Sequence, residues 1–330
     1  MQYRALGKTG ISISTISFGA GPISQLLVGD DADQQRVVIG HAIERGINWF
    51  DTAATYGAGK SEQNLGRVLN ELNAAQRVHV ATKVRLMPDD LGDIAGAICR
   101  SVETSLQRLR LPRVTLVQLH NSITAERGDE PTSITPHDVL GPRGVAEMFE
   151  TLRGEGLALH LGLTGLGQPA ALREVVGSGR FETMQVPYHL LNPTAGWEFR
   201  GRGLETNYSN IISDAARQGM GVLAIRVFAG GALVGNPPSP HTFKTPFFPL
   251  ALYQRDGQRA EHLKRILGAG VPVTQVAIRF ALAHPFVHSA LIGLGGVDEI
   301  DEALQALDEG PSRINWDDVL AALDAAPALP

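Results

Sequence analysis

The chain is 330 residues long, 43% hydrophobic and 19% charged, with a formal net charge of −5. That length is large for one ordinary domain but normal for a single α/β barrel over 1–330. The acidic balance gives no electrostatic case for nucleic acid or an anionic membrane as partner, and the one cysteine, Cys99, rules out an internal disulfide framework or a cysteine metal cluster.

The chain opens with MQYRALGKTG, which lacks the apolar core of a signal peptide. No later run nears the roughly 20 apolar residues of a membrane span, so a cytoplasmic location is expected. Tyr3–Leu6 and Ile11–Ser14 flank Gly7-Lys8-Thr9-Gly10, a hairpin signal. Strands are then expected at Thr15–Ala20, Asn48–Thr52, Val78–Val84, Val114–His120, His160–Gly165, Thr183–Tyr188, Gly221–Val227 and Ser289–Leu294. Helical periodicity occupies 33–45, 61–73, 90–109, 144–156, 168–178 and 205–219. Two further helices, 257–268 and 273–284, precede the eighth strand, and 297–308 and 316–325 follow it. Strands about 25–45 residues apart are the mark of βαβ units. Eight of them predict a (β/α)8 TIM barrel with an N-terminal β-hairpin rather than an open doubly wound sheet. The first strand carries no dinucleotide fingerprint, and GLTGLG at 162–167 begins inside the fifth strand. Two long connections, Asn121–Arg143 after the fourth strand and Phe228–Asp256 after the seventh, fall on the C-terminal face, where barrel sites form.

Polar residues at C-terminal strand ends are therefore the site candidates. Asp51 closes the second strand, and Tyr56 follows it in FDTAATYG. The residues between are small enough for a ligand to approach the backbone, and Gly57 can turn the chain sharply. Lys83 lies near the end of VHVATKV, and His120 ends VTLVQLH. Each alone has an ordinary explanation: Asp51 as a helix cap, Lys83 reaching to solvent, His120 as a satisfied strand-end imidazole. On neighbouring strands, however, the four ends converge. A lysine ringed by apolar residues needs a carboxylate, which Asp51 can supply.

FDTAATYG, ATKV and LVQLHN resemble the Asp, Tyr, Lys and His signatures of the aldo-keto reductase superfamily. YRALGKTGISISTISFGAG resembles its opening hairpin and first strand, and LGLTGLG its nicotinamide-binding strand. The resemblance implies a barrel that binds a nicotinamide dinucleotide and reduces a carbonyl in a small-molecule substrate: an aldehyde, ketone or sugar. Tyr56 would be the general acid. A free phenol, with a pKa near 10, is a poor acid at neutral pH, and a neighbouring ammonium at Lys83 would favour the phenolate. Asp51 would hold Lys83 charged, and His120 would hydrogen-bond the substrate oxygen.

The same likeness places Ala20, Asp51, Thr164 and Gln185 at the coenzyme, with Thr164 standing for a usual Ser and Gly165 for a usual Asn. Ile225, Arg226, Val227 and Phe228 replace an aromatic-Ser-Pro-Leu run, with Gly230 just beyond. Arg226 would contact the pyrophosphate or, alternatively, pair with an acidic neighbour. After the eighth strand, Gly293 is followed by Gly295 and Gly296, where relatives that prefer NADPH carry Lys or Arg and then Ser. Asp298, Glu299, Asp301 and Glu302 come next, and Ala303 replaces a usual Asn. A carboxylate there, such as Glu299, would accept hydrogen bonds from ribose hydroxyls and disfavour a 2′-phosphate. NAD(H) is thus expected to serve at least as well as NADP(H). The alternative makes these acids a solvated first turn on a helix dipole, with Lys244 or Arg255 restoring phosphate binding.

Phe243, Phe247, Phe248 and Tyr253 suggest an apolar wall to the substrate pocket, whereas Glu126, Arg127, Asp129, Glu130 and His137 suit a polar substrate such as a sugar. A second class of function is a nucleotide-sensing subunit of another protein with slow turnover. A metal-dependent barrel hydrolase using Asp51 and His120 is disfavoured, because no His-x-His cluster accompanies them.

Overall fold

A strand sends alternate side chains to opposite faces, and here that alternation separates the barrel lumen from an apolar shell under the helices. The computed structural model describes residues 1–198, 206–268, 270–308 and 314–324. Strands β1 (Tyr3–Ala5) and β2 (Ser12–Ser14) form an antiparallel hairpin. Eight parallel strands follow: β3 (Ile16–Gly19), β4 (Trp49–Asp51), β5 (His79–Val84), β6 (Val114–Leu119), β7 (Ala158–Thr164), β8 (Thr183–Pro187), β9 (Gly221–Ile225) and β10 (Ser289–Gly293). β10 pairs with both β3 and β9, which closes the sheet into a barrel. Each barrel strand falls inside its expected span except β7, which starts at Ala158, two residues early.

The surrounding helices are α1 (Ala32–Glu44), α2 (Lys60–Glu71), α3 (Ile94–Leu109), α4 (Pro136–Leu140), α5 (Val145–Gly154), α6 (Pro169–Gly177), α7 (Ile211–Arg217), α8 (Leu250–Leu267), α9 (Val273–Ala283), α10 (Val297–Asp308) and α11 (Trp316–Asp324). Three depart from expectation. α4 lies inside the connection 121–143, nucleated by a Thr135–Asp138 capping box with Pro136 in the first turn. α8 starts at Leu250 rather than 257, so the second long connection ends at Pro249; Gly257, a poor helix former, sits inside the helix and hides its continuity. α7 starts only at Ile211, because Ser209 and Asn210 adopt left-handed backbone. Residue 205 of that expected helix, and 325 of the last, lie outside the described residues.

Leu6 and Ile13 of the hairpin join Trp49, Ala81, Leu116 and Leu223 in a buried cluster that fills the lower lumen. Gly7, at φ +49°, lies so close to β9 that a Cβ would come within 2.2 Å of the Gly221 nitrogen. The hairpin is thus a fitted plug. Phe18 and Phe50, on the opposite faces of β3 and β4, stack with ring centroids 5.3 Å apart in the main core under the helices. Asp51, Lys83 and Gln118 each follow a member of the lower cluster by two residues, so the next lumen layer is largely polar, with Ile225 above Leu223 as its apolar member.

α2 anchors the segment between β4 and the barrel mouth. Ser61 Oγ donates to the Ala20 carbonyl and meets Thr52 Oγ1, each at 2.8 Å. Buried Glu62 accepts from Thr82 Oγ1 and, at 2.7 Å, from Arg108 Nε on α3. The close approach of α2 to α3 depends on Gly66, where a Cβ would stand 2.3 Å from the Leu109 carbonyl oxygen and 2.6 Å from its Cα. In an open helix Gly→Ala would stabilise by about 1 kcal/mol. Gly66→Ala should instead destabilise by about 1–3 kcal/mol through overpacking, measured by chemical denaturation. A gain in stability would contradict this packing.

Candidate active site

Asp51 ends β4 on its lumen face, 2% exposed, and accepts an ion-pair hydrogen bond from Lys83 Nζ on the neighbouring strand. Lys83, 1% exposed, also donates to the Thr52 carbonyl at 2.9 Å and to Tyr56 Oη at 3.3 Å. All three ammonium protons therefore have acceptors. Burial alone would push the lysine down; the charges of Asp51 and Tyr56 outweigh it, and the ammonium is held above its ordinary range. The other Asp51 oxygen accepts from Gln118 Nε2 at 3.0 Å and from Gln185 Nε2. Three lumen side chains from three further strands thus converge on one carboxylate.

Tyr56 reaches this layer through a tight turn. Gly57 (φ 57°) and Ala58 (φ 53°) both take left-handed backbone before α2 begins. Glycine adopts that conformation freely, but alanine is strained by it, and such strain is common where a side chain must be aimed. The ring lies edge-on to His120, centroids 5.6 Å apart at 83°, and Lys83 Nζ stands 4.8 Å from the Tyr56 centroid. His120 follows β6 with Nδ1 3.5 Å from Thr55 Oγ1. Burial, together with the Arg85 and Lys83 cations, holds its imidazole well below the ordinary range. Both effects favour the neutral ring.

The four expected residues therefore meet at the C-terminal mouth. Two neighbours were not singled out from sequence. Gln118 lies two residues before His120 and faces the same lumen. Arg85 lies two residues after Lys83 and donates to the His120 carbonyl at 3.2 Å. The period-two pattern of the strands contained both.

The residues expected at a coenzyme lie around the same rim. Ala20 follows β3, packed in the main core, with its N–H bonded to the Asp51 carbonyl at 2.8 Å. Thr164 Oγ1 donates to the Leu119 carbonyl at 3.0 Å, and the Gln185 amide nitrogen is engaged by Asp51 rather than turned outward. Ile225 is half-buried at the end of β9, while Val227 is fully packed into the core. Arg226, at φ 55°, donates to the Phe247 carbonyl at 2.9 Å and stacks 5.2 Å from the Phe248 centroid. Phe228 packs on the core, and Gly230 (φ 65°) leaves room for Phe248, which a Cβ would meet at 2.6 Å. Gly293 is exposed at the end of β10. Gly295 donates its N–H to Glu299 Oε2 at 2.8 Å and accepts from Gln34 Nε2 at 3.3 Å. Among the described residues no group of three or more His, Cys, Asp or Glu could hold a metal ion, and no helix is long and apolar enough to cross a membrane.

Residues 15–319 match the model of the aldo/keto reductase family. Over 311 residues the chain is 26% identical to L-galactose dehydrogenase of Arabidopsis thaliana, covering 94% of this chain and 89% of that one. It is 23% identical over 351 residues to a probable voltage-gated potassium channel subunit beta of the same plant, covering 100% and 99%. It is also 24% identical over 328 residues to pyridoxal 4-dehydrogenase of Microbacterium luteolum, with 90% of each chain covered. In fold it is similar to the holo form of the aldo-keto reductase AKR11C1 from Bacillus halodurans, with a TM-score of 0.73, 22% identity and 100% and 98% of the two chains covered. By a family match that runs over nearly its whole length, the chain belongs to the aldo/keto reductase family of oxidoreductases.

Proposed function

We propose that the protein is a nicotinamide-dependent oxidoreductase acting on a small carbonyl or alcohol substrate. The observation that carries this reading is the contact of a buried, ion-paired lysine with a phenol at the barrel mouth. Tyr56 donates its proton to the carbonyl oxygen in reduction and recovers it from the alcohol in oxidation. Lys83 stabilises the phenolate left behind, Asp51 keeps Lys83 charged and aimed, and neutral His120 donates a hydrogen bond from Nε2 to the same substrate oxygen. This division of labour needs no imidazolium.

The rim fits a dinucleotide. Thr164 and Gln185 stand at adjacent strand ends in register, their donors used within the barrel and their oxygens left to accept from a carboxamide, and Arg226 lies just beyond β9. Gly293 and Gly296 keep the approach to the α10 N-terminus open, with no atom within 4 Å of a Cβ at Gly296. Bound there, the nicotinamide would supply the hydride; the protein's share is to orient the ring and exclude water.

Among the described residues the groups on Gly295 are Ser24, Gln34 and Glu299, and none of these is a cation. Glu299 already occupies the backbone N–H that a phosphate oxygen would seek. This supports NAD(H) serving at least as well as NADP(H). Among the relatives, a sugar dehydrogenase and a pyridoxal dehydrogenase support oxidation of a hydroxylated substrate as the physiological direction. The potassium channel subunit relatives favour a second reading, a coenzyme-sensing subunit that turns over slowly.

Two measurements test the proposal. Tyr56→Phe should lower kcat by about 10²–10⁴-fold, the usual worth of a positioned general acid, while coenzyme affinity by fluorescence titration stays within about threefold; an active variant would remove Tyr56 from the chemistry. In steady-state kinetics NADH should match or exceed NADPH in kcat/KM, and a preference for NADPH above about tenfold, or 1.4 kcal/mol, would overturn the coenzyme assignment.

A further inference from the structure

Arg85 extends the lumen row of β5. Ala81 lies in the lower cluster and Lys83 in the ion-pair layer, so the same alternation carries Arg85 to the rim. There its guanidinium stands 3.2 Å from the His120 carbonyl and 4.2 Å from the centroid of Phe247, which caps it from the long connection after β9. That cap is held in turn, because Arg226 donates to the Phe247 carbonyl. Its charge acts on Tyr56, His120 and His241, which places it among the groups facing the reacting centre.

Among the described residues no carboxylate pairs with Arg85, and its Nε is enclosed without a hydrogen-bond partner. A clamped, half-buried guanidinium that uses one N–H on a backbone carbonyl has the rest of its fork for a ligand. The planar fork matches a carboxylate by two parallel hydrogen bonds. Lys83, the other cation acting on His120, is already neutralised by Asp51, which leaves less positive charge for a dianionic phosphate than for a carboxylate.

We propose that Arg85 is a substrate-anchoring residue and that the site prefers aldehydes and ketones bearing a carboxylate, which the guanidinium binds while the carbonyl lies against Tyr56 and His120. This inference rests on the carbonyl-oxidoreductase reading above.

The test compares 4-carboxybenzaldehyde with its methyl ester, a pair close in shape that differs in charge and whose ester is intrinsically the more electrophilic, so a preference for the acid runs against carbonyl reactivity. The wild-type kcat/KM should favour the acid by at least about tenfold. Arg85→Gln should bring that ratio to within about threefold of unity, and Arg85→Lys, which keeps the charge but not the fork, should retain an intermediate ratio. Raising ionic strength should slow the acid alone. Equal use of acid and ester by the wild type, or an equal loss for both in Arg85→Gln, would overturn the anchor and leave Arg85 as a support for the His120 backbone. If the ester is reduced in a Tyr56-dependent way without charge discrimination, only the anchor fails. If the wild type reduces neither aldehyde with either coenzyme, the oxidoreductase reading fails and the anchor falls with it.

Discussion

A charged lysine cannot remain in a closed barrel without an acceptor for each of its protons, and that requirement organises the upper lumen. Lys83 is almost wholly buried, and Asp51, the Thr52 carbonyl and the Tyr56 hydroxyl take its three hydrogen bonds. Removing one partner of such a buried pair typically costs 3–5 kcal/mol, because the other charge is left uncompensated. Under the proposed mechanism, what the pair adds is an ammonium beside the phenol. A hydrophobic pair of similar volume would be as stable, but it would place no ammonium beside Tyr56.

The remainder of the fold can be read as support for that contact. The hairpin plug and the Trp49–Leu223 layer close the lumen from below, so the polar layer is reached from the C-terminal mouth. Gln118 and Gln185 satisfy the second Asp51 oxygen and fix the plane of the carboxylate. α2, tied to Ala20, Thr52 and Thr82, sets where the Tyr56 turn leaves the barrel. The left-handed Ala58 is the local strain that this aim costs. Above, the Phe247–Phe248 segment lies over Arg85 and Arg226.

Much of this was legible in the sequence because it depends on local pattern. Strand alternation and βα spacing gave eight strands nearly to the residue, and Asp51, Lys83 and His120 announced themselves as polar groups ending apolar runs. Gln118 and Arg85 were just as determined by alternation, but a glutamine inside a strand and an arginine beyond one look unremarkable until the lumen face is known. Gln185 illustrates the opposite limit: its position was foreseen, while its bond to Asp51 depends on the barrel bringing β8 across from β4. The early start of α8 and the presence of α4 were missed because Gly257 and Pro136 punctuate the sequence where the fold tolerates them inside a helix or in its first turn.

The proposed chemistry requires that Lys83 act through Tyr56. A double-mutant cycle on the single-turnover rate of hydride transfer, with Lys83→Met and Tyr56→Phe alone and combined, isolates that coupling. If the ammonium works on the phenol, Lys83→Met slows the wild type severely and slows the Tyr56→Phe protein by no more than a few-fold. Independent, multiplicative losses in the double variant would contradict it.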